Sequence, residues 1–325
     1  MKKLLSLVLI LSLLLSICFC FASCNSGGDK YVIGICQQMP HVALDSATKG
    51  FKDALIAELG EENVEFIEQN AQGDSTACTT IANDFVTKNV DLMLGNATNA
   101  LQACANATET IPVLGTSVTE YGVALGIDNF NGLVGTNVSG ASDLAPLDEQ
   151  AAIITTFFPE AKTVGLLYCS AEPNSDYQVR KVQEYLEAAG LTCAKYPFAD
   201  SNDVVSVATA AAAASDILYI PTDNTAANCA EAINGAVLPT KTPIVGGDAG
   251  ICGGCGVITH CIDYYDLGVT TGKMAAAILK GEKDVSKMEI QYAENYSKVY
   301  NETNCKELGI DIEALKAAGY TALED

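Results

Sequence analysis

Residues 31–55, Tyr31-Val-Ile-Gly-Ile-Cys-Gln-Gln-Met-Pro-His-Val-Ala-Leu-Asp-Ser-Ala-Thr-Lys-Gly-Phe-Lys-Asp-Ala-Leu55, set the architecture. The run from Tyr31 to Cys36 is apolar without alternation, as in a strand covered on both faces. Leu44, Ala47, Phe51, Ala54 and Leu55 then recur at helical spacing. The same alternation continues outward. Val64 to Ile67 reads as a strand, and Asp74 caps a helix whose inner face is Cys78, Ile81, Ala82 and Phe85. Val90 to Leu94 is the next strand, followed by a helix near Asn99 to Thr108, a strand from Ile111 to Leu114, and an expected strand from Val123 to Ile127. Strands separated by helices imply a parallel sheet with helices on both sides.

The pattern restarts after a middle segment. Leu147, Ala151, Ile154 and Phe157 mark a helix stopped before Pro159. Strands follow at Val164 to Cys169, Thr192 to Tyr196, Asp216 to Ile220, Pro243 to Gly246 and Val257 to Ile262, with helices between them. One of these carries Val182, Tyr185, Leu186 and Ala189 and ends at Gly190. A last helix with Leu267, Thr271, Met274 and Ile278 on one face comes after the second set is complete. The expected fold is α/β, with two doubly wound parallel-sheet lobes joined by a hinge that the chain crosses several times. Residues 31–138 with 264–288 would form lobe 1, and residues 139–263 with 289–325 would form lobe 2. No Pro/Ser/Gly linker separates them, which argues against two independent domains.

The N-terminus reads as an export signal. Lys2 and Lys3 precede an apolar run from Leu4 to Phe21, which closes on Ala22-Ser23-Cys24. Phe21-Ala22-Ser23-Cys24 resembles a bacterial lipoprotein box, with Phe where Leu is usual, and this implies that Cys24 takes a diacylglyceryl group. Residues 1–24 are thus the expected signal peptide and 25–30 a polar tether. Two acyl chains, at roughly 0.8 kcal/mol per buried methylene, hold a soluble body at a membrane face without crossing it. The expected location is outside the cytoplasm, anchored by lipid only.

Composition narrows the partners. The chain has 325 residues, 18 basic and 40 acidic, and a formal charge of −22. Removing residues 1–24 takes away Lys2 and Lys3 and leaves about −24. Nucleic acid is excluded as a partner on these grounds, since binding it requires a cationic surface. Ten of the 13 cysteines lie beyond Cys24. Cys36, Cys78 and Cys169 fall on apolar faces, where a thiol behaves as a small hydrophobe, so mostly reduced thiols are expected. Cys252-Gly-Gly-Cys255 with His260 and Cys261 has tempting metal spacing, but a second CxxC pair is missing, and neither metal nor cofactor is expected.

The uncharged polar clusters fall after predicted strands, where open α/β sheets bind ligands. After the first-lobe strands come Gln37 to His41, Asn96-Ala97-Thr98, and Thr116-Ser117. After the second-lobe strands come Ser170 to Gln178, Thr222-Asp223-Asn224, and Gly247 to Gly250. Helix N-termini at Thr98-Asn99 and Asn174-Ser175 suit a carboxylate, and Asp223 or Asp248 could accept from an ammonium group. The chain has no Trp, so an aromatic platform must come from Tyr or Phe, with Tyr177 and Tyr121 the candidates.

Several ordered stretches carry a family resemblance. They are Ile33-Gly-Ile-Cys-Gln-Gln-Met-Pro-His41-Val-Ala-Leu-Asp45 with Gly50-Phe51, Asn137-Val-Ser-Gly-Ala-Ser-Asp143, and Leu166-Leu-Tyr-Cys-Ser-Ala-Glu-Pro-Asn174-Ser175. Tyr219-Ile-Pro-Thr-Asp-Asn224, Pro243-Ile-Val-Gly-Gly-Asp248 and Asp263-Tyr-Tyr-Asp-Leu-Gly268 continue the series. Residues 31–320 resemble the substrate-binding lipoproteins of ABC importers in the tryptophan/tyrosine/phenylalanine group, with a type I periplasmic-binding-protein fold. Asn96-Ala-Thr-Asn-Ala100 departs from the Thr-Pro-Ala expected there, and Met39-Pro40-His41 from an acidic residue before His. The resemblance implies a monomer that closes its lobes on a small solute, an aromatic amino acid foremost, and delivers it to a permease with its ATPase. It implies ligand contacts from Gln37, His41, Asn96, Ala97, Thr98, Thr116, Ser117 and Asp143 in the first half of the chain. Asn174, Ser175, Tyr177, Thr222, Asp223, Asn224 and Asp248 complete the set.

Rival readings are a sensor module, or a receptor for another amino acid, a nucleoside or a sugar. An enzyme is disfavoured because His41 and His260 are the only histidines and no G-x-S-x-G, H-E-x-x-H or phosphate-loop motif is present.

Overall fold

The computed structural model describes residues 30–293 and 295–323; the expected leader and Cys24 lie outside the described residues. In the first half, β1 (Tyr31–Gln37), α1 (Val42–Leu59), β2 (Val64–Asn70), α2 (Ser75–Lys88), β3 (Leu92–Asn96), α3 (Thr98–Ala107), β4 (Val113–Val118), α4 (Tyr121–Leu125) and β5 (Val138–Ser142) follow one another. The second half runs α5 (Leu147–Phe157), β6 (Thr163–Cys169), α6 (Pro173–Ala188), β7 (Thr192–Phe198), α7 (Val204–Ala214), β8 (Ile217–Ile220), α8 (Asn224–Asn228), α9 (Ala230–Val237), β9 (Ile244–Gly246), α10 (Ala249–Gly254) and β10 (Ile258–Ile262). Then come α11 (Tyr264–Leu279), β11 (Gln291–Tyr292), β12 (Tyr296–Tyr300), α12 (Glu302–Leu308), α13 (Ile312–Ala317) and β13 (Thr321–Ala322).

Two sheets result, in the orders β11-β5-β4-β3-β1-β2 and β13-β12-β10-β9-β8-β6-β7. Every pairing is parallel except β10 with β12. The continuous apolar runs are the reason: on one face of the first sheet Ile33, Ile35, Leu92, Leu94 and Leu114 pack with Phe51, Leu55 and Met274. On the other face Cys36, Met93 and Val113 pack with Phe85 and Leu101. A strand buried on both sides needs helices on both sides, and the βαβ connections supply them.

The last long helix, α11, returns to the first sheet and lies against α1. Gly50 and Gly268 make that approach close: a Cβ on Gly50 would meet the Tyr265 carbonyl, and one on Gly268 the Ala47 carbonyl. The chain thus passes between sheets after Ser142, after Ile262 and between Tyr292 and Tyr296.

Three expectations need correction. The run Val123 to Ile127 is not a strand. Glu120 accepts from the Val123 amide and Gly126 closes the turn at φ 65°, so the two ends make the short helix α4. The boundary at 138/139 cuts β5, which is hydrogen-bonded to β4 in the first sheet, and Gln291–Tyr292 also joins that sheet through β5. Only β12, α12, α13 and β13 of the C-terminal segment belong with the second sheet.

Among the described cysteines, Cys193 and Cys229 are half-buried and the other eight are buried, none in a disulfide. Burial raises the Cys255 thiol, and Cys252 is raised in the same way. Among the described residues no three His, Cys, Asp or Glu side chains assemble as metal ligands. His260 instead lies 2.9 Å from Glu149.

Candidate functional site

The ends of β1 and β3 carry polar side chains that are already engaged. Gln37 donates to the Met39 carbonyl and to Asp45 Oδ1 (2.6 Å), and accepts from Thr48 Oγ1 (2.7 Å). Thr48 in turn accepts from Asn96 Nδ2 at 2.9 Å, and the same amide donates to the Leu44 carbonyl. Gln37 is therefore a brace that fixes Asn96 from behind. The Gln38 side chain accepts from the Asn99 amide in the first turn of α3.

Two backbone positions at the ends of β3 and β4 are strained. Ala97 has φ 86° and Ser117 has φ 56°, positions that L side chains rarely adopt. Such conformations cost of order 1–3 kcal/mol and persist only where the surroundings over-determine them. Both residues are buried. Ala97 directly follows β3, and Ser117 lies within β4 where its register with β5 shifts.

On the second half the hub is Glu172, a residue the sequence reading passed over. Its carboxylate, 2% exposed, accepts from the Asn224 amide, Asn224 Nδ2 (2.7 Å), the Thr225 amide and Thr225 Oγ1 (2.7 Å). Asn174 Nδ2 reaches the same carboxylate at 3.3 Å and the Thr222 carbonyl at 3.1 Å. Gln178, the last residue of the polar stretch Ser170 to Gln178, joins the Thr222 amide and carbonyl to the first turns of α6. The only sequence signal for Glu172 was its place before Pro173, at a helix N-terminus.

Two contacts close the space between the halves. His41 Nε2 lies 3.1 Å from Asn224 Oδ1. Gln178 Nε2 lies 3.5 Å from Thr119 Oγ1. Through them Asn174, Ser175, Thr222, Asp223 and Asn224 are brought opposite His41, Thr116, Ser117 and Asp143. A groove of about 740 Å³, lined by His41, Val42, Ala227 and Ala249 among others, opens outside the His41 contact.

The unfilled hydrogen-bonding capacity is concentrated here. Among the described residues the buried side-chain atoms without a hydrogen-bond partner include Asn96 Oδ1, Thr116 Oγ1, Ser117 Oγ, Asp143 Oδ1 and Asn174 Oδ1. Asn96, Thr116, Ser117 and Asn174 were singled out at strand or helix ends, and Asp143 through the family resemblance. Leaving such an atom buried and unpaired costs about 1–3 kcal/mol.

The acidic residues divide by how fully they are used. Asp223 accepts from the Cys169 amide (2.6 Å) and, with its other oxygen, the Ala226 amide (2.8 Å), which makes it a brace for α8. Burial, with the Glu172 carboxylate nearby, pushes it up to about 8. Asp248 caps α10 through the Ile251 amide, and burial raises it also. Asp143 accepts from the Tyr264 hydroxyl at 2.9 Å with Oδ2 only. Burial pushes Asp143 up to about 6, against the Thr119 and Tyr264 hydroxyls, with Asp248 adding to the rise.

The aromatic candidates separate. Tyr121 is 1% exposed in the core of the first sheet, with its hydroxyl donating to the Ala141 carbonyl, so it packs and offers no open ring face. Tyr177 is half-buried against the second core, and Glu120 and Tyr292 lie in its surroundings. Ala97 and Thr98 are buried at the N-terminus of α3.

Comparison with known proteins agrees with this geometry. Residues 32–319 match the family description "ABC transporter substrate binding protein", and the chain belongs to that family. It is 32% identical over 288 residues to a tyrosine-binding protein of Clostridioides difficile (strain R20291), covering 88% of this chain and 82% of the relative. The structure of the ABC domain in complex with L-Trp from Streptococcus pneumonia superposes with a TM-score of 0.86 at 32% identity, over 91% of this chain and all of that one. A ligand-free, open substrate binding protein from Clostridium difficile gives a TM-score of 0.68 at the same identity, over 90% of this chain and all of that one. At equal identity, the arrangement here is nearer to the ligand-bound relative than to the open one. The family is one of extracytoplasmic solute-binding proteins rather than enzymes, and its members serve ABC transporters.

Proposed function

We propose that this substrate-binding protein captures an aromatic L-amino acid between its two α/β halves, at the surface formed by Asn96, Thr116, Ser117, Asp143 and Asn174, and delivers it to an ABC permease. The observation that carries this reading is the set of five unpartnered buried polar atoms on those residues. A solute that supplies the missing donors and acceptors removes their desolvation cost and holds both halves together. The relatives named for tyrosine and found with L-Trp give the solute class. Burying an aromatic side chain contributes roughly 4–6 kcal/mol gross, at about 25 cal/mol/Å² over about 150–250 Å². A Kd of about 1 μM needs a net of about −8 kcal/mol, so the polar ends of the ligand must supply the surplus.

The membrane tie belongs to the same proposal. Acylation at Cys24 keeps a monomeric binding body near its permease, and residues 25–30 span the gap. The test of the solute class is calorimetric titration of residues 25–325, refolded to strip carried-over ligand, with all twenty amino acids. L-Tyr, L-Trp or L-Phe should bind most tightly; flat titrations with all three would remove the aromatic reading.

A further inference from the structure

The cations of this acidic chain are mostly committed to carboxylates, as Lys52 is to Glu68 and Lys280 to Glu58. Among the described residues, the ion pairs do not include Lys273 or Lys283. Both line a groove of about 640 Å³ together with Lys287, whose own partner is Asp284 at 2.9 Å. All three lysines are exposed. The groove runs between α11 and the segment 283–291 that leads into β11, over a floor of Met274, Ala277 and Met288. Met274 belongs to the core of the first sheet, and Met288 packs against that core.

Backbone bonds hold the groove in shape. Gly281 turns the chain after α11 at φ 71°, and the Lys283 amide then donates back to the Ala277 carbonyl at 3.2 Å, which fixes one rim. On the other wall the Met288 carbonyl accepts from Ser139 Oγ at 2.9 Å, and Gln291 pairs with Ala141 of β5. Both walls therefore belong to the first half, and none of their residues takes part in the proposed solute surface. The nearby acids are Glu289 in the lining, Asp284 on Lys287, Glu58 on Lys280, and Glu282, which also bears on Lys280. The lining itself carries three cations against one carboxylate. The formal charge of −22 is spread over the whole chain. At physiological ionic strength charges beyond about 8 Å are screened, so the local balance decides what the groove attracts.

We propose that this groove docks the headgroups of anionic phospholipid, and that the first half of the protein thereby rests on the membrane. The lysine rim meets phosphate oxygens, while the methionine floor takes the glycerol and the first methylenes of the acyl chains. The lining has Lys and no Arg. An Arg fork grips a single oxyanion in two places, whereas separate point charges suit a plane of phosphates. Position favours the same occupant. The expected tether, residues 25–30, reaches at most about 20 Å. It enters at Tyr31, which packs on the same core cluster as Val285 and Met288. A lipid chain and a basic patch on one half hold a protein to a membrane more firmly than either does alone. The second half, with neither, is left free to move.

Vesicle co-sedimentation of the mature chain, residues 25–325 without acylation, tests the assignment. The chain should bind vesicles of phosphatidylcholine and phosphatidylglycerol in a three-to-one mixture, and not phosphatidylcholine alone. Sodium chloride at about 0.5 M should abolish the binding. Lys273→Gln with Lys283→Gln should weaken it by about 10- to 30-fold. Lys162→Gln with Lys195→Gln removes the same charge from exposed positions on the second half and should change it by less than about 3-fold. Glu289→Gln removes the acid of the lining and should tighten binding by about 3- to 5-fold, a gain that misfolding does not produce. No preference for the anionic vesicles, equal losses in the two lysine doubles, or a Glu289→Gln chain that binds no better overturns the proposal. Displacement from the vesicles by millimolar inorganic phosphate at constant ionic strength would mark a pocket for a free anion and overturn it as well. Because the chain tested carries no lipid, such failures leave the Cys24 anchor and the solute class standing.

Discussion

His41 Nε2 and Asn224 Oδ1 meet at 3.1 Å, the first residue before α1 on one half against the first residue of α8 on the other. The partners fix the chemistry. Asn224 Nδ2 is committed to Glu172, so its Oδ1 faces the histidine and His41 must donate from Nε2. The contact exists only when the halves are together. His41→Ala should therefore speed ligand release and weaken affinity by about 2- to 15-fold, the worth of one hydrogen bond. Stopped-flow dissociation measures it, and the unfolding midpoint of the ligand-free protein should stay within about 1 °C.

Glu172 should behave as a structural anchor with a functional consequence. In Glu172→Ala the Asn224 and Thr225 donors lose their acceptor inside the protein. The expected cost is about 2–4 kcal/mol in urea unfolding, with weaker ligand binding because Asn174 loses a partner. Glu172→Gln should lie between wild type and Ala. A Glu172→Ala chain as stable as wild type would show that water replaces the carboxylate at no cost.

Gly268→Ala should destabilise by about 1–3 kcal/mol, since the added methyl meets the α1 backbone at Ala47 rather than a movable side chain. Gly281, with open space where its Cβ would lie and φ 71°, is the contrast: there Ala suffers only backbone strain. Thermal melting of the two variants separates packing from conformation.

Raised carboxylates set the pH dependence of the protein with its halves together. Asp143 is held up to about 6 and Asp223 up to about 8, both first of all by burial. Between the unfolded value near 3.8 and these folded values the native state binds more protons than the unfolded chain, so stability is lost as pH rises. The Asp143 share should be complete by about pH 6 and the Asp223 share by about pH 8, the former up to about 3 kcal/mol. Asp284 is held down to about 2 by Ser286 and Lys287 and so acts only in more acid solution. Urea midpoints at pH 5, 6.5 and 8 should fall in that order, and Asp143→Asn should flatten the step from pH 5 to 6.5.

Cys24 is the test of the proposed anchor. In the native host, Cys24→Ser should shift the protein from the detergent phase to the aqueous phase of a detergent partition, with ligand affinity unchanged. Partition that does not respond to the substitution would place the membrane tie elsewhere.

Much of the site was legible because the βαβ pattern puts loops after parallel strands on one side, whatever the loops contain. Asn96, Thr116, Ser117 and Asn174 are found that way from strand ends and helix starts alone. Their use is not legible in the same way. Gln37 and Asp223 sit at strand ends just as Asn96 does, yet both are consumed in bracing, because Thr48 and Asp45 reach one, and the Cys169 and Ala226 amides the other. Glu172 and Gln178 show the converse, polar residues inside α6 and its cap whose partners lie some 50 residues away.

By itself, the order of apolar runs and amphipathic helices determined two parallel sheets, because strands without alternation must be covered on both faces. It also determined where solute-facing loops fall. The local Glu120 cap and Gly126 turn make α4 where a strand was expected, in a run too short to show a period. Tertiary structure alone decided that β5 and β11 close the first sheet, and that one Asp143 oxygen stays free. Those outcomes depend on pairings between segments distant in the chain, and local residue patterns do not encode distances across a fold.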